Sequence, residues 1–506
     1  MSNGSSRDHS SVNGHVTLGP ASKRSMAEAF AVQLGTRGLG MAASMVTVAL
    51  TTRYLGPESY GHLTTAIVFV GLWASLTELG IGAVIVRRAT GGGGNLERLV
   101  RVNIGISVVY SLPLAALTAQ TGWLVYRGSD EVTQMLLIIS AGLTVTTLAS
   151  CFEPVFLAYV KFRAVAAADL AGRLISLGAT VFLVYYHADV VWFAVVQLAP
   201  PAAQLVIQYV AARRIIDVRP ILSWSESVQL LSESASQTLV LIIAIAYWRA
   251  DGVILSLVST SEQVGVYGLA YSLAFTVTAV STFYLSSTLS TTTSLFARDR
   301  DAFARFVERG VEAMLFIGVP IAVIGSLLSP HIVELIGSSE FVADGAPTLS
   351  LLCVAVAVSF LTSVISQAVF AAHDQAFLLR LNVANLAANI ALNFILAGRF
   401  GAVGAGMALC TSEVIGLLVV SWRLSRRSPF RMSWLYMLRL LPSVLASAAV
   451  AYLLRDLLPV LVVVACAAGI YLISNLVIGP VKLGVVRQMM ARNADAEDDS
   501  SVEASR

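Results

Sequence analysis

Charge is what this 506-residue chain has least of. Lys, Arg, Asp and Glu make up 12% of it, about half of the ~25% usual in soluble domains. A water-soluble protein of this length cannot cover its surface with so few charges. Mean hydropathy is +0.78, and 57% of the residues are hydrophobic. A soluble enzyme, a nucleic-acid-binding domain and a single-span receptor are therefore excluded. The net charge of +3 is too small to call for a nucleic-acid partner. Cysteine is scarce too. Cys151, Cys353, Cys410 and Cys466 sit far apart in apolar runs with no CxxC pair, so they read as small buried hydrophobes. His9, His15, His62, His187, His331 and His373 form no HExxH or HxH pattern, so no metal centre is indicated. The Gly91–Gly94 run lacks the Lys-Ser/Thr of a phosphate loop, which makes it a flexible connector. No cofactor is expected.

Apolar runs dominate what is present. A spanning helix takes ~20 apolar residues, which makes the chain an all-α polytopic membrane protein with about fourteen spans. They are placed at about 29–51, 62–85, 102–125, 134–158, 165–186, 190–211, 234–257, 265–294, 311–328, 347–371, 381–398, 401–421, 434–454 and 457–479. The strand-like alternation of an outer-membrane barrel is missing. The even-numbered connections hold arginine clusters such as Arg87/Arg88/Arg98/Arg101 and Arg423/Arg426/Arg427/Arg431/Arg439. The odd-numbered ones hold only Arg53, Arg127, Arg399 and Arg455. Basic loops face the cytoplasm, so both termini are expected inside, in the cell (inner or plasma) membrane. The outward connections are short, the longest running from about 329 to 346.

Residues 58–66 resemble 262–270, with Gly61 over Gly265, and 189–194 can be laid over 401–406, both at offsets of about 210. Two parallel six-helix repeats would produce such offsets. The expected division is a disordered N-terminus (1–27), an N-terminal lobe (28–215), a pseudo-symmetric C-terminal lobe (216–425), helices 13–14 (426–480) and a polar cytoplasmic tail (481–506).

Charges within the spans carry the functional information, because each costs ~2.5–3.5 kcal/mol near the bilayer centre. Arg37 lies eight residues into span 1, with Gln33 one turn below it. Glu78 is two thirds along span 2. Asp169 and Arg173 are four apart in span 5, Arg249 and Asp251 follow Tyr247-Trp248 in span 7, and Glu413 is mid-span 12. Arg37 and Arg173 either snorkel to headgroups or line a wet cavity between the lobes. Asp169–Arg173 is equally readable as a helical ion pair. Arg249 and Asp251 are either interior or interfacial. On the functional reading Arg37, Arg173 and Arg249 hold an anionic headgroup through their planar donor forks. Glu78, Asp251 and Glu413 then couple an ion or act as counter-charges. Asn382, Asn385, Asn389 and Asn393 make one face of span 11, and Gln197, Gln204 and Gln208 one of span 6. Such stripes either glue helices or line a hydrated path where Asn385 and Asn389 bind sugar hydroxyls. Asp299-Arg300-Asp301 looks like the DxD of sugar transferases, but among arginines on a surface helix it reads as a solvated charge pattern.

The segment Arg53-Tyr-Leu-Gly-Pro-Glu-Ser-Tyr-Gly61, with Glu78-Leu-Gly-Ile81 and Val86-Arg-Arg88, resembles the N-terminal signature of the polysaccharide flippases. These form the O-antigen, Wzx-type branch of the MOP superfamily that includes the MATE exporters. Ile336-Gly-Ser-Ser-Glu-Phe341 and the Asn face followed by Phe400-Gly-Ala-Val-Gly-Ala405 are similar to that family's spans 9–12. Glu78 departs from the more usual Asp and keeps the charge. The resemblance implies a transporter, not an enzyme. It would flip polyprenyl-diphosphate-linked oligosaccharide outward by alternating access, with membrane lipids and glycosyltransferases or a polymerase of a polysaccharide pathway as partners. A drug/cation antiporter of the same fold is the alternative, and a membrane-embedded glycosyltransferase or polymerase is the alternative from another class.

Overall fold

The computed structural model describes residues 23–91, 94–159 and 162–477. Of the N-terminus expected to be disordered, residues 1–22 lie outside the described residues, as does the expected tail 481–506, whereas 23–27 are already helical. The described chain is all-α, as expected, with no strand among the described residues. The helices are α1 Lys23–Trp73, α2 Ser75–Glu78, α3 Ile81–Thr90, α4 Leu96–Val125, α5 Asp130–Ser150, α6 Glu153–Ala158, α7 Phe162–Tyr185, α8 Val190–Val196 and α9 Ala199–Ala212 in the first lobe. The second holds α10 Trp224–Val258, α11 Ser261–Thr276, α12 Ala279–Arg298, α13 Arg300–Ile336, α14 Val342–Ala371 and α15 Gln375–Ser425. Two more follow, α16 Trp434–Leu454 and α17 Val460–Val477.

Twelve segments among the described residues are long and apolar enough to cross a membrane, against fourteen expected. The difference lies in two places. Expected spans 1 and 2 run together in a 55-residue segment broken by non-helical backbone at Gly56, and spans 11 and 12 share the 51 residues of α15, broken at Gly401. A straight helix of that length would reach ~80 Å at 1.5 Å per residue, more than twice the ~30 Å hydrocarbon core. At Gly401 the chain turns back on itself, because a Cβ on Gly404 would lie 2.1 Å from the carbonyl oxygen of Leu396, eight residues earlier. The expected long outward loop shrinks to a few residues, since α13 runs on to Ile336 and a short 3-10 turn, Ser339–Phe341, leads into α14.

Gly401 takes φ 55° and ψ −132°, a region that a Cβ makes costly. Its missing side chain also leaves room for Gln263, whose Oε1 would lie 2.2 Å from that Cβ. That oxygen accepts the N–H of Ala402 at 2.8 Å, while Gln263 Nε2 donates to Asp344 at 2.6 Å. Gly401→Ala is expected to destabilise the protein by roughly 1–3 kcal/mol, read as a lowered melting temperature in detergent.

Four expected spans are not continuous. Span 2 breaks at Leu79 and Gly80, which are both left-handed (φ 46° and 61°). Span 4 breaks at Cys151-Phe152 before Pro154, span 6 at Gln197-Leu198 before Pro200, and span 8 at Val277-Thr278. Irregular backbone at membrane depth is tolerated where it lines a cavity or is buried in protein. Three of these breaks do line one, as described below.

The packing divides along the membrane normal. A single hydrophobic core joins both lobes at the end bearing the sparse odd-numbered connections, where Tyr60 and Leu63 meet Tyr267 and Phe341, and runs on through the second lobe to Phe303 and Leu424 at its arginine-rich end. At the arginine-rich end the first lobe keeps a core of its own, with Ile85, Val100, Phe156 and Leu230. The α16–α17 pair packs on α13 through a small cluster that includes Leu328, Ala451 and Val463. Large apolar side chains such as Leu112, Leu137, Phe182, Leu445 and Leu461 cover the exterior, as lipid-facing positions require.

Candidate functional site

Where the cores part, the helices leave a series of adjoining cavities that share lining residues. The first, of about 520 Å³, is lined by Thr36 and Arg37 of α1, Glu153 and Leu157 of α6, Asp169 and Arg173 of α7 and Gln204 of α9. A second, of about 360 Å³, shares Arg37, Met41 and Arg173 and reaches Phe275, Thr278 and Thr282 beside the break in span 8. It therefore joins the two lobes. A third, of about 750 Å³, shares Glu153 and Leu157 with the first and extends past Thr77 and Gly80 to Gln237 of α10 and Phe370 of α14.

Arg37 and Arg173 thus meet in one place, as expected. Arg173 is held. Its Nε donates to Asp169 Oδ2 at 3.0 Å and its Nη1 to Ser44 Oγ at 2.7 Å. Gly40 leaves room for it, since a Cβ there would lie 2.9 Å from Arg173 Cδ. The ion pair read from the spacing is real, and it faces the cavity. Arg37 has no carboxylate partner among the described residues. Its guanidinium carbon lies 4.9 Å from the ring centre of Phe283 in α12, across the gap between the lobes, a cation–π distance.

The other expected members go elsewhere. Arg249 is interior, packed against Gly71 of the first lobe, where a Cβ would lie 3.3 Å from its Nε. It does not line the three cavities. Asp251, two residues on, points into the second lobe and is buried. Its Oδ1 accepts from Asn393 Nδ2 at 2.7 Å and its Oδ2 from the Tyr267 hydroxyl at 3.1 Å. Asn393 Nδ2 is also 3.2 Å from Asn389 Oδ1. Glu413 is likewise buried and accepts from the Tyr247 hydroxyl at 2.9 Å. The amide face of span 11 is therefore turned, at Asn389 and Asn393, towards the acids. Asn389, expected with the substrate, belongs to this cluster. Asn385 packs against Gly416, and neither asparagine lines the cavities above. One shared chamber for all these groups, as the sequence suggested, is replaced by a cavity between lobes and an acidic cluster inside one lobe. The side chains of Gln33 and Glu78 lie outside the described residues; the backbone of Glu78 closes α2.

Glu153 was missed, although an acid ahead of a proline inside an apolar run carries the same signal as the others. Tyr247, Tyr267 and Ser44 have no such signal, being recognisable only once helices are packed. Asp299 proves to be a helix cap. Its carboxylate accepts the N–H groups of Asp301 and Ala302 at 2.9 Å each, and the Ala302 bond above all holds it below the usual carboxylate range.

At the opposite end the lobes interlock. A Cβ on Gly61 would lie 1.7 Å from the carbonyl oxygen of Ser261, and one on Gly265 would lie 2.2 Å from that of Pro57. The two glycines aligned in the sequence repeat thus cross each other reciprocally. Thr52 Oγ1 donates to the carbonyl of Ile336 at 3.0 Å and Arg53 Nη2 to that of Leu335 at 2.6 Å.

Residues 50–343 match the model of the family described as polysaccharide biosynthesis protein. The chain belongs to that family. This member of the polysaccharide biosynthesis family has distant solved relatives of the same fold. A structure titled lipid II flippase MurJ, inward closed conformation, superposes with a TM-score of 0.72 at 16% identity, covering 88% of this chain and 98% of the other. An inward-facing MATE family multidrug transporter of the MOP superfamily gives 0.63 at 13% identity, covering 76% and 95%. The Vibrio cholerae MATE transporter VcmN, solved as a single-site mutant, gives 0.54 at 16% identity, covering 80% and 97%. No curated protein matches the sequence. These likenesses establish the fold, a helical bundle shared with these transporters, as the resemblance in the sequence implied.

Proposed function

We propose that the protein flips a polyprenyl-diphosphate-linked oligosaccharide from the cytoplasmic to the outer leaflet of the cell membrane by alternating access. It would serve polysaccharide or cell-envelope biosynthesis beside glycosyltransferases and a polymerase. Family membership and a fold shared with a protein named a lipid II flippase support this reading. The observation that carries it is Arg37, a cation without a carboxylate partner among the described residues, held in the gap between two lobes beside Arg173. Guanidinium donors match phosphate oxygens in a planar fork. Arg249, on the same boundary at Gly71, would meet the headgroup only as the lobes move.

The arginine-rich connections put the open end and both termini in the cytoplasm, so the described state is open inward and closed outward. The halves are taken as 28–215 and 216–425, with helices 13–14 at 426–480 outside them. A drug/cation antiporter would present acids and aromatics to its cargo, and Arg37 and Arg173 disfavour it. Asp251 and Glu413, with Asn389 and Asn393, form the coupling site for a proton or small cation.

Arg37→Ala and Arg173→Ala are expected to reduce polymer export at least tenfold at matched expression, since a hydrogen bond to a charged group contributes ~1.5–3 kcal/mol. Arg37→Lys should fall between, keeping charge and losing the fork. Undiminished export from the alanine variants of Arg37, Arg173 and Arg249 alike would exclude the diphosphate reading.

A further inference from the structure

The acidic cluster and the arginine cavity are separate sites, and two rows of aromatic rings run between them. α11 carries Tyr267, Tyr271 and Phe275 at intervals of four, so the three rings share one face of the helix. The Tyr267 hydroxyl donates to Asp251 Oδ2 at 3.1 Å. Its ring centre lies 5.9 Å from that of Tyr271, and Tyr271 stacks on Phe275 at 4.1 Å, nearly parallel. Phe275 lines the cavity that holds Arg37 and Arg173. The second row starts from the other acid. Tyr247, whose hydroxyl donates to Glu413, meets Trp248 at 5.2 Å, and Trp248 meets Phe275 at 5.1 Å. Both of these contacts are edge-to-face, a favoured arrangement of aromatic pairs. The Tyr271 hydroxyl donates to the Trp248 carbonyl at 3.0 Å and fastens the rows together. Two acids on different helices thus reach the cavity through one residue, Phe275.

Phe275 also stands just before the break in span 8. Its carbonyl accepts the N–H of Thr278 at 3.1 Å and the Thr278 hydroxyl at 2.6 Å, which closes the end of α11. Beyond the break, Thr278 and Thr282 lie on the cavity wall, and Phe283 of α12 lies 4.9 Å from the Arg37 guanidinium carbon. A displacement of Phe275 therefore bears on the first turns of α12 and on the ring over Arg37. A guanidinium stacked by its face keeps its in-plane N–H donors for a phosphate, so Phe283 sets the direction in which that fork points.

We infer that Phe275 is the positioning residue through which the acidic cluster and the headgroup cavity act on each other. The inference rests on the transport reading given above. An ion at Asp251 changes the bond that Tyr267 makes there. A protonated carboxyl brings a hydrogen of its own, and a small cation draws the hydroxyl oxygen towards itself. Close-packed rings pass such a displacement on, because a packed interior transmits strain. The effect is reciprocal: a bound diphosphate changes the affinity for the ion by the same factor as the ion changes that for the diphosphate.

The test uses the full-length protein in lipid nanodiscs, with a sugar-free polyprenyl diphosphate as the probe. Its affinity is measured in sodium against choline, and in mildly acidic against mildly alkaline buffer, and each pair of values gives a ratio. Asp251→Asn supplies the baseline, because pH also titrates the probe. In the native protein the ratio for the ion in use is expected to depart from that baseline at least fivefold, roughly the lower end of ordinary coupling. Phe275→Leu removes the ring and keeps an apolar side chain. It is expected to return the ratio to the baseline while the ion still raises the melting temperature. Phe275→Tyr keeps the ring and should keep the ratio. Each ratio is taken within one variant, so a changed affinity for the carrier itself does not enter it. An undiminished ratio in folded Phe275→Leu overturns the inference. Should that variant not fold, Tyr271→Leu, which removes the ring stacked on Phe275, is expected to lower the ratio, and an unchanged ratio there overturns the inference as well. A native protein whose melting ignores both ions counts against the coupling cluster, and Arg37→Ala with unchanged carrier binding counts against the diphosphate site. An ion response and Arg37-dependent binding that are both present yet independent of each other overturn this inference alone.

Discussion

Gly61→Ala and Gly265→Ala are each expected to abolish export by preventing closure of the outer end. In both cases the new methyl group would meet a backbone carbonyl, 1.7 Å away for Gly61 and 2.2 Å for Gly265. A flexible side chain could step aside; the carbonyls of Ser261 and Pro57 belong to packed helices and move only with them. Small residues let membrane helices approach this closely, and overpacking costs ~1–3 kcal/mol where it can be absorbed. On the alternating-access reading proposed above, this contact exists only while the lobes are shut at this end. The strain therefore falls on the inward-open state, and at 1.4 kcal/mol per tenfold shifts the balance towards outward-open by roughly 5- to 150-fold. Thr276, which lines the cavity at the break in span 8, makes a reporter. In a Thr276→Cys background, labelling by a membrane-impermeant maleimide from outside should rise with Gly61→Ala. Unchanged labelling with unchanged export would show that the crossing is not a gate. Gly268, which a Cβ would bring within 2.5 Å of Thr64 Cγ2, is the milder control because a side chain there can yield.

Much of this arrangement was legible in the residues themselves. Arg37, Asp169, Arg173, Asp251 and Glu413 stood out because ionised groups in an apolar run need a reason to be there, and each of them meets a cavity or a hydrogen-bond partner in the fold. The aligned glycines of the repeat turned out to touch. Helix rotation was not legible. Arg249 and Asp251, two residues apart, point about 200° apart on a helix of 3.6 residues per turn, so one faces Gly71 in the other lobe and its near neighbour faces Asn393 in its own. Whether a polar face of span 11 lines a path or seats an acid depends on what packs against it, and only the fold supplies that. The breaks in spans 2, 4, 6 and 8 were also hidden, since an apolar run reads the same whether its backbone is straight or interrupted. Pro154 and the Pro200-Pro201 pair were the available signals.

Asp251→Asn is expected to leave the fold intact and uncouple transport. The amide has the carboxylate's shape: its oxygen still accepts from Asn393, and its nitrogen can donate to the Tyr267 hydroxyl. Alanine would instead strand both donors in a buried site, at ~1–3 kcal/mol each, and confuse folding with function. What asparagine removes is the negative charge. No Lys, Arg or His pairs with Asp251 among the described residues, and a buried carboxylate without a cationic partner costs several kcal/mol, so a proton or a small cation is its natural counterpart. Oxygen donors for such an ion are at hand in Asp251 and in the Oδ1 of Asn393, which is buried and without a hydrogen-bond partner. An ion that binds the folded state stabilises it by about 2.7 kcal/mol at a hundred times its dissociation constant. The purified native protein should therefore melt higher in sodium than in choline, or respond instead to pH, according to which ion is used. Asp251→Asn should be indifferent to both. Coupling energies of ~1–3 kcal/mol translate into a loss of export of roughly 5- to 150-fold for a correctly folded variant. Native export from Asp251→Asn, or an ion response that survives the substitution, would move the coupling site away from this cluster.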